Sequence, residues 1–133
     1  MKSHVEFGNE ELKAAKGALH LFKDALTSNP KLVPMGRPWN DNERKARIEH
    51  LDYIAQLFTE MENGKNSITI DGVIICFDLS ENEIFAIYSC CEYAASYLSK
   101  TGQNKDILES LNKLVNNFKL IGVEKLAMVF EYE

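Results

Sequence analysis

Residues 80–100 constrain the fold of this chain more than any other stretch, because as a helix they are apolar on nearly every side. Ser80 and Glu83 fit a capping box at the start, and Gly102 is a typical residue beyond a helix end. A helix with so little polar surface is usually buried, so the stretch predicts a central core helix that can also serve as a face for self-association. Its apolar residues recur at three- and four-residue spacing: Ile84, Ile87, Cys91, Ala94 and Leu98.

Three other segments carry one apolar face at helical spacing, which predicts three amphipathic helices. They are Asn9–Ser28, a segment that starts at Asn40 or Asp41 and ends near Asn63, and residues 104–120. On the first of these helices a separate face carries Lys13, Lys16, His20 and Lys23. We interpret that basic line as a solvated face, with a docking strip for an acidic partner as the alternative.

Residues 67–77 have the pattern of a β-hairpin. Asp71-Gly72 suits a two-residue type I′ turn, which pairs Ile70 with Val73 and Ile68 with Ile75. This register predicts one face that packs on helices and an opposite, outer face whose apolar residues Ile74 and Cys76 also favour self-association. The residues predicted to face the helices are Ile68, Ile70, Val73, Ile75 and Phe77.

A lone hairpin is marginally stable in water, so a third strand is expected. Residues 125–132 are the preferred candidate, and residues 3–7 are a possible edge strand. The predicted fold is α+β, with about four helices on a small antiparallel sheet formed by the hairpin and the C-terminal strand, in the order α-α-β-β-α-α-β. A helical bundle with an appended hairpin is the alternative.

The composition narrows the class of protein. A chain of 133 residues suits a single globular domain, residues 1–133. The formal charge of −5 argues against general nucleic-acid binding, and no apolar run approaches the ~20 residues of a membrane span. Three cysteines, two of them adjacent, do not suggest a disulfide framework, so a cytoplasmic location is expected. Twelve lysines against three arginines suggest an AT-rich genome, such as that of a low-GC bacterium or its phage.

The sequence lacks the common catalytic motifs. It contains no phosphate-binding loop, no G-x-S-x-G and no H-E-x-x-H. The adjacent Cys90 and Cys91 are interpreted as structural, because a thiolate is disfavoured in an apolar helix. A metal site at Glu49, His50 and Asp52 is conceivable, but ordinary surface polarity explains these residues better. We therefore predict no catalytic residue, no metal site and no cofactor.

All three arginines lie within eleven residues, and the only tryptophan lies among them. The group begins within residues 29–40, which contain all three prolines, and a helix N-terminus begins within the group. Guanidinium groups bind phosphate or carboxylate and stack on aromatic rings, while a helix N-terminus offers free N–H donors. This segment is the candidate ligand- or partner-binding site, and its residues are Arg37, Trp39, Arg44 and Arg47. Pairs such as Glu43 with Arg47 offer a plainer interpretation, that of an exposed helix end.

Two functional hypotheses follow. The first is a non-enzymatic interaction protein that binds and modulates a macromolecular partner, as inhibitors, immunity proteins and phage host-modulating factors do. A protein partner is favoured, and a homo-oligomer, preferably a dimer, is expected. The second is a binder or sponge for a small anionic ligand, such as a nucleotide, held through the arginine segment. An enzyme is the third and weakest hypothesis.

Overall fold

The computed structural model describes residues 2–28 and 40–120. These residues form three strands and four helices, in the order β-α-α-β-β-α-α. Their bounds are β1 Lys2–Gly8, α1 Asn9–Ser28, α2 Asp41–Glu62, β2 Ser67–Ile70, β3 Val73–Ser80, α3 Glu81–Thr101 and α4 Lys105–Leu120. None of these four helices combines the length and the hydropathy needed to cross a bilayer.

The three strands form one antiparallel sheet with β3 in the centre, in the order β1-β3-β2. The α+β class, with four helices and a small antiparallel sheet, is therefore confirmed. The strand beside the hairpin is β1, in the region of the predicted edge strand at residues 3–7. The strand predicted at residues 125–132 lies outside the described residues.

The hairpin has the predicted turn and register. Asp71 and Gly72 both have positive φ, 51° and 80°, as a type I′ turn requires. The two predicted cross-strand pairs are present, Ile70 with Val73 and Ile68 with Ile75. The Asp-Gly dipeptide was therefore sufficient to predict the turn type and the strand register.

The prediction of which hairpin face packs on the helices was wrong. Ile74 and Cys76 are buried, whereas Ile68 and Ile70 are exposed. Both faces of β3 are apolar, so alternation alone did not distinguish them. The neighbouring elements decide the matter, because β1 places Val5 and Phe7 beside Cys76 and Ile74 on the same face.

Contacts with α2 fix this orientation of the sheet. The ring of Phe7 packs edge-on against that of Phe58, with centroids 6.3 Å apart. At the start of β2 the buried Ser67 hydroxyl donates a hydrogen bond of 2.8 Å to the Met61 carbonyl oxygen. Met61 and Ser67 are only six residues apart, so this hydrogen bond determines which face of β2 is turned towards α2.

The central helix predicted from residues 80–100 is confirmed. α3 packs against α1 and α4. Its N-terminus has the predicted capping box between Ser80 and Glu83, and Gly102 beyond its C-terminus has a φ of 68°. All five apolar residues that define its periodicity are buried. The apolar surface of α3 is thus used mainly within this chain.

Candidate functional site

The structure describes two of the four residues in the predicted binding segment. Arg44 and Arg47 lie in the first turns of α2, one helical turn apart, and both are partly buried. Arg37 and Trp39 lie outside the described residues. Arg44 and Arg47 are therefore located at the N-terminal end of α2, close to the C-terminal end of α1.

Arg44 makes a contact that explains its position. Its Nη1 donates a hydrogen bond of 2.7 Å to the carbonyl oxygen of Leu26. That carbonyl lies in the last turn of α1, where no N–H four residues further along the helix can reach it. α1 has no basic residue in its own last turn, so Arg44 supplies both a donor and a favourable charge at the negative end of the helix dipole. Arg44 thus joins two helices.

The side chain of Asn40 already accepts a hydrogen bond from a backbone N–H group at the N-terminus of α2. Asn40 caps the helix, since its Oδ1 accepts the Glu43 N–H at 2.8 Å and Glu43 accepts the Asn40 N–H at 3.4 Å. The predicted capping box is confirmed. An anion at this helix end has to compete with the Asn40 side chain for backbone N–H groups.

The basic line of α1 contacts α2. Lys16 pairs with Glu62 at 2.6 Å, and Lys23 pairs with Asp52. Because the partner numbers fall along α2 as they rise along α1, the two helices are antiparallel. These are partly exposed ion pairs, and each stabilises the fold by roughly 0–1 kcal/mol. Because two of its lysines are paired in this way, less of the basic line is available to an acidic partner.

The polar residues around His50 make contacts with other side chains. The His50 ring stacks on Tyr53 with centroids 6.0 Å apart, and Asp52 pairs with Lys23. Among the residues that the structure describes, no group of three or more His, Cys, Asp or Glu side chains is placed to hold a metal ion. The Tyr53 hydroxyl donates a hydrogen bond of 2.8 Å to Glu83, which raises the pKa of Tyr53 and links α2 to α3.

The cysteines are buried among apolar side chains. All three lie in the described part of the chain, and none forms a disulfide there. Burial raises the pKa of the Cys91 thiol to about 12 and also raises that of Cys90 well above its ordinary value. Both thiols are protonated at neutral pH, so neither has the properties of a nucleophile.

The most distinctive exposed feature is apolar and lies on the sheet. Ile68 and Ile70 are 46% and 52% exposed, and next to them Val73 and Ile75 are partly exposed. These four β-branched residues form two adjacent cross-strand pairs on one face of the hairpin, which we call the outer sheet face. The exposure of Ile68 and Ile70 shows that no helix within residues 2–28 and 40–120 covers them.

Polar residues border the outer sheet face. Glu6 of β1 is exposed and pairs in register with Ile75. Asp71 is exposed on the hairpin turn. An apolar centre with a polar rim is the usual organisation of a protein–protein interface. The sequence pattern predicted that the four aliphatic residues Ile68, Ile70, Val73 and Ile75 pack on the helices.

Comparison with known proteins adds no relative. The chain matches no protein-family model, and the searches of curated proteins and of solved structures found no significant match.

Proposed function

We propose that this chain is a non-enzymatic interaction protein that binds and modulates a partner protein through the outer sheet face. The observation that supports the proposal is the exposure of Ile68 and Ile70 beside Val73 and Ile75. Covering apolar surface stabilises a complex by roughly 25 cal/mol per Å², before the costs of association are subtracted. A β-branched aliphatic patch on a rigid sheet is therefore a suitable centre for an interface. Inhibitors, immunity proteins and phage host-modulating factors act by such binding. We also propose a cytoplasmic location.

The test removes the apolar centre of the face and keeps the strand. Ile68→Thr together with Ile70→Thr is the variant, because threonine keeps a high β-propensity. The control is Tyr97→Thr on α3, where a tyrosine that is 41% exposed loses apolar atoms from another surface. Tagged wild type and both variants are used to capture proteins from cells under identical conditions, and the captured proteins are quantified by mass spectrometry.

We expect a specific partner with the wild type and with Tyr97→Thr, and its loss with the double variant. Circular dichroism melting checks that all three proteins remain folded. If the double variant is folded and captures the same partner in the same amount, the outer sheet face is not the binding site.

We also propose a homodimer, formed through the same face. The apolar residues of α3, which first suggested self-association, are buried within the chain, so the outer sheet face replaces them as the proposed contact. A second copy and a partner protein then compete for one surface. Partner binding should accordingly weaken at protein concentrations that favour the dimer.

A small anionic ligand is the second candidate function. The supporting observation is that Arg44 and Arg47 lie one turn apart at the N-terminal end of α2. Nucleotides and inorganic phosphate are screened by the rise they cause in melting temperature. Arg47→Ala should remove the rise, with Lys45→Ala, an exposed neighbour, as the control. No rise with any of these anions counts against the ligand-binding hypothesis.

A further inference from the structure

A second surface lies between α1 and the first turns of α4. It is an open groove of about 650 Å³, which we call the α1/α4 groove. Ala14 and Gly17 of α1 and Ile107 of α4 contribute its small and apolar lining. Four acidic residues also line it, Glu10, Glu11, Asp106 and Glu109. No residue of the outer sheet face takes part.

Gly17 is the first indication that the groove has an occupant. Glycine inside a helix costs about 1 kcal/mol relative to alanine. The fold does not require this glycine, because its φ is not positive and a Cβ at this position would meet no atom within 4 Å. What glycine provides here is a bare stretch of backbone, which allows another chain to approach α1 closely.

Ile107 is the second indication. It belongs to the apolar stripe of α4 that continues through Leu111, Leu114 and Phe118, all of which are fully buried. Ile107 itself is 43% exposed. The stripe therefore extends beyond the core and into the groove, where a partner side chain can cover it.

The charges around the groove indicate the chemistry of the occupant. Lys13 lies 3.9 Å from Glu10, and Lys113 lies 3.4 Å from Glu11, so both lysines of the lining are close to a carboxylate. Asp106 and Glu109 make no ion pair with a residue of the described ranges. The lining carries four carboxylates and two ammonium groups, a net charge of −2.

We propose that the α1/α4 groove binds a basic amphipathic helix of a partner protein. A third helix fits between two helices by packing its ridges into their groove, and Gly17 allows its axis to come close. Its apolar side chains cover Ile107, and its lysine or arginine side chains lie beside Asp106 and Glu109. This surface is separate from the outer sheet face, so each proposal can fail without the other.

The test uses a model peptide and four variants. The probe is a fluorescein-labelled amphipathic helix of about 18 residues, with leucine on one face and lysine on its flanks. A Cβ at position 17 would meet no atom within 4 Å, and leucine is a better helix former than glycine, so Gly17→Leu should melt at or above the wild-type temperature. Asp106→Lys with Glu109→Lys reverses the rim charge. Asp24→Lys with Glu49→Lys, on exposed sites elsewhere, is the control. Each pair changes the formal charge by +4, from −5 to −1.

Fluorescence anisotropy measures the affinity of each protein for the peptide. We expect saturable binding to the wild type, a loss of about tenfold or more with Gly17→Leu and with the rim reversal, and a smaller change with the control pair. A peptide of the same composition in scrambled order should bind at least about tenfold more weakly, because it lacks the apolar face. Ile68→Thr with Ile70→Thr should bind the ordered peptide like the wild type.

Several results would overturn the proposal. One is the absence of saturable binding to the wild type. Another is an equal loss with the rim reversal and the control pair, since that would show a general effect of net charge. Unchanged affinity in Gly17→Leu would show that the peptide binds elsewhere. If Gly17→Leu instead converts a wild-type dimer to a monomer in sedimentation velocity, a second copy occupies the groove.

Discussion

Arg44 shows how one side chain can stabilise a helix other than its own. Its guanidinium lies at the C-terminal end of α1, where it binds the Leu26 carbonyl oxygen at 2.7 Å. The contact is partly buried and joins groups that are eighteen residues apart in the chain. A charged donor at a helix C-terminus has both hydrogen-bond and dipole contributions. Arg44 therefore has a structural role whether or not the arginine segment binds a ligand.

We predict that Arg44→Ala lowers the free energy of unfolding by about 1–2 kcal/mol, because the Leu26 carbonyl loses its charged donor. Urea unfolding followed by circular dichroism gives the value. Lys45→Ala is the control, since Lys45 is exposed and adjacent in sequence, and should change stability by less than about 0.5 kcal/mol. Equal effects of the two substitutions would contradict the role given to Arg44.

The buried Cys91 thiol gives a second prediction at this scale. Burial raises its pKa from 9.0 to about 12. Above pH 9 the unfolded chain loses this proton and the folded protein keeps it, so stability should fall as pH rises between 9 and 12. The slope from this group alone approaches about 1.4 kcal/mol per pH unit.

Urea unfolding between about pH 8 and pH 10.5 measures that slope. Burial also raises the pKa of Cys90, so the informative quantity is the difference between wild type and Cys91→Ala. The alanine variant should be less stable at neutral pH and should lose stability more slowly as pH rises. Parallel curves for the two proteins would show that the Cys91 thiol does not titrate differently on folding.

At the scale of elements, the hairpin shows which property is local and which is not. Its turn and its register depend on Asp71 and Gly72, so both can be predicted from the sequence. Its inward face depends on contacts outside the hairpin, namely β1 pairing and the link from Ser67 to α2. A strand that is apolar on both sides can be packed either way, and the neighbouring elements select one.

Adjacent substitutions in β3 test the observed orientation. Ile74→Thr should destabilise the protein by about 2–3 kcal/mol, because it removes buried apolar atoms and introduces a hydroxyl into the core. Ile75→Thr should cost less than about 1 kcal/mol, since Ile75 lies on the partly exposed face. Thermal or urea unfolding of the two variants gives the comparison. The reverse order would mean that the opposite face packs on the helices.

At the scale of the whole molecule, the helices of the described residues cover one face of the sheet, and Ile68 and Ile70 on the other face are exposed. Phe7 of β1 packs on α2, and β3 contacts both α2 and α3. Four aliphatic side chains form a smaller patch than the ~800 Å² per partner of a standard stable interface. Self-association through this patch alone should therefore be weak and dependent on concentration.

Sedimentation velocity over a range of protein concentrations tests this expectation. The wild type should shift from monomer towards dimer as concentration rises, and Ile68→Thr with Ile70→Thr should remain monomeric. Tyr97→Thr is again the control and should behave like the wild type. A monomer at every concentration, or equal dimerisation of the double variant, would exclude the outer sheet face as a dimer contact.

The sequence by itself determined the features that depend on local interactions. The four helices, both capping boxes and the hairpin register follow from periodicity, cap residues and turn residues within a few positions of one another. The α+β class follows from the arrangement of these elements along the chain.

Only the tertiary structure decided which faces meet, because that choice depends on residues far apart in the chain. It made β1 the neighbour of β3, turned Ile74 and Cys76 inwards and left Ile68 and Ile70 exposed. It also brought Arg44 to the end of α1 and formed the groove that Gly17 and Ile107 line. The outer sheet face and the α1/α4 groove could not be recognised from the sequence for the same reason. The identity of an apolar residue does not show whether it is buried in a core or exposed at an interface.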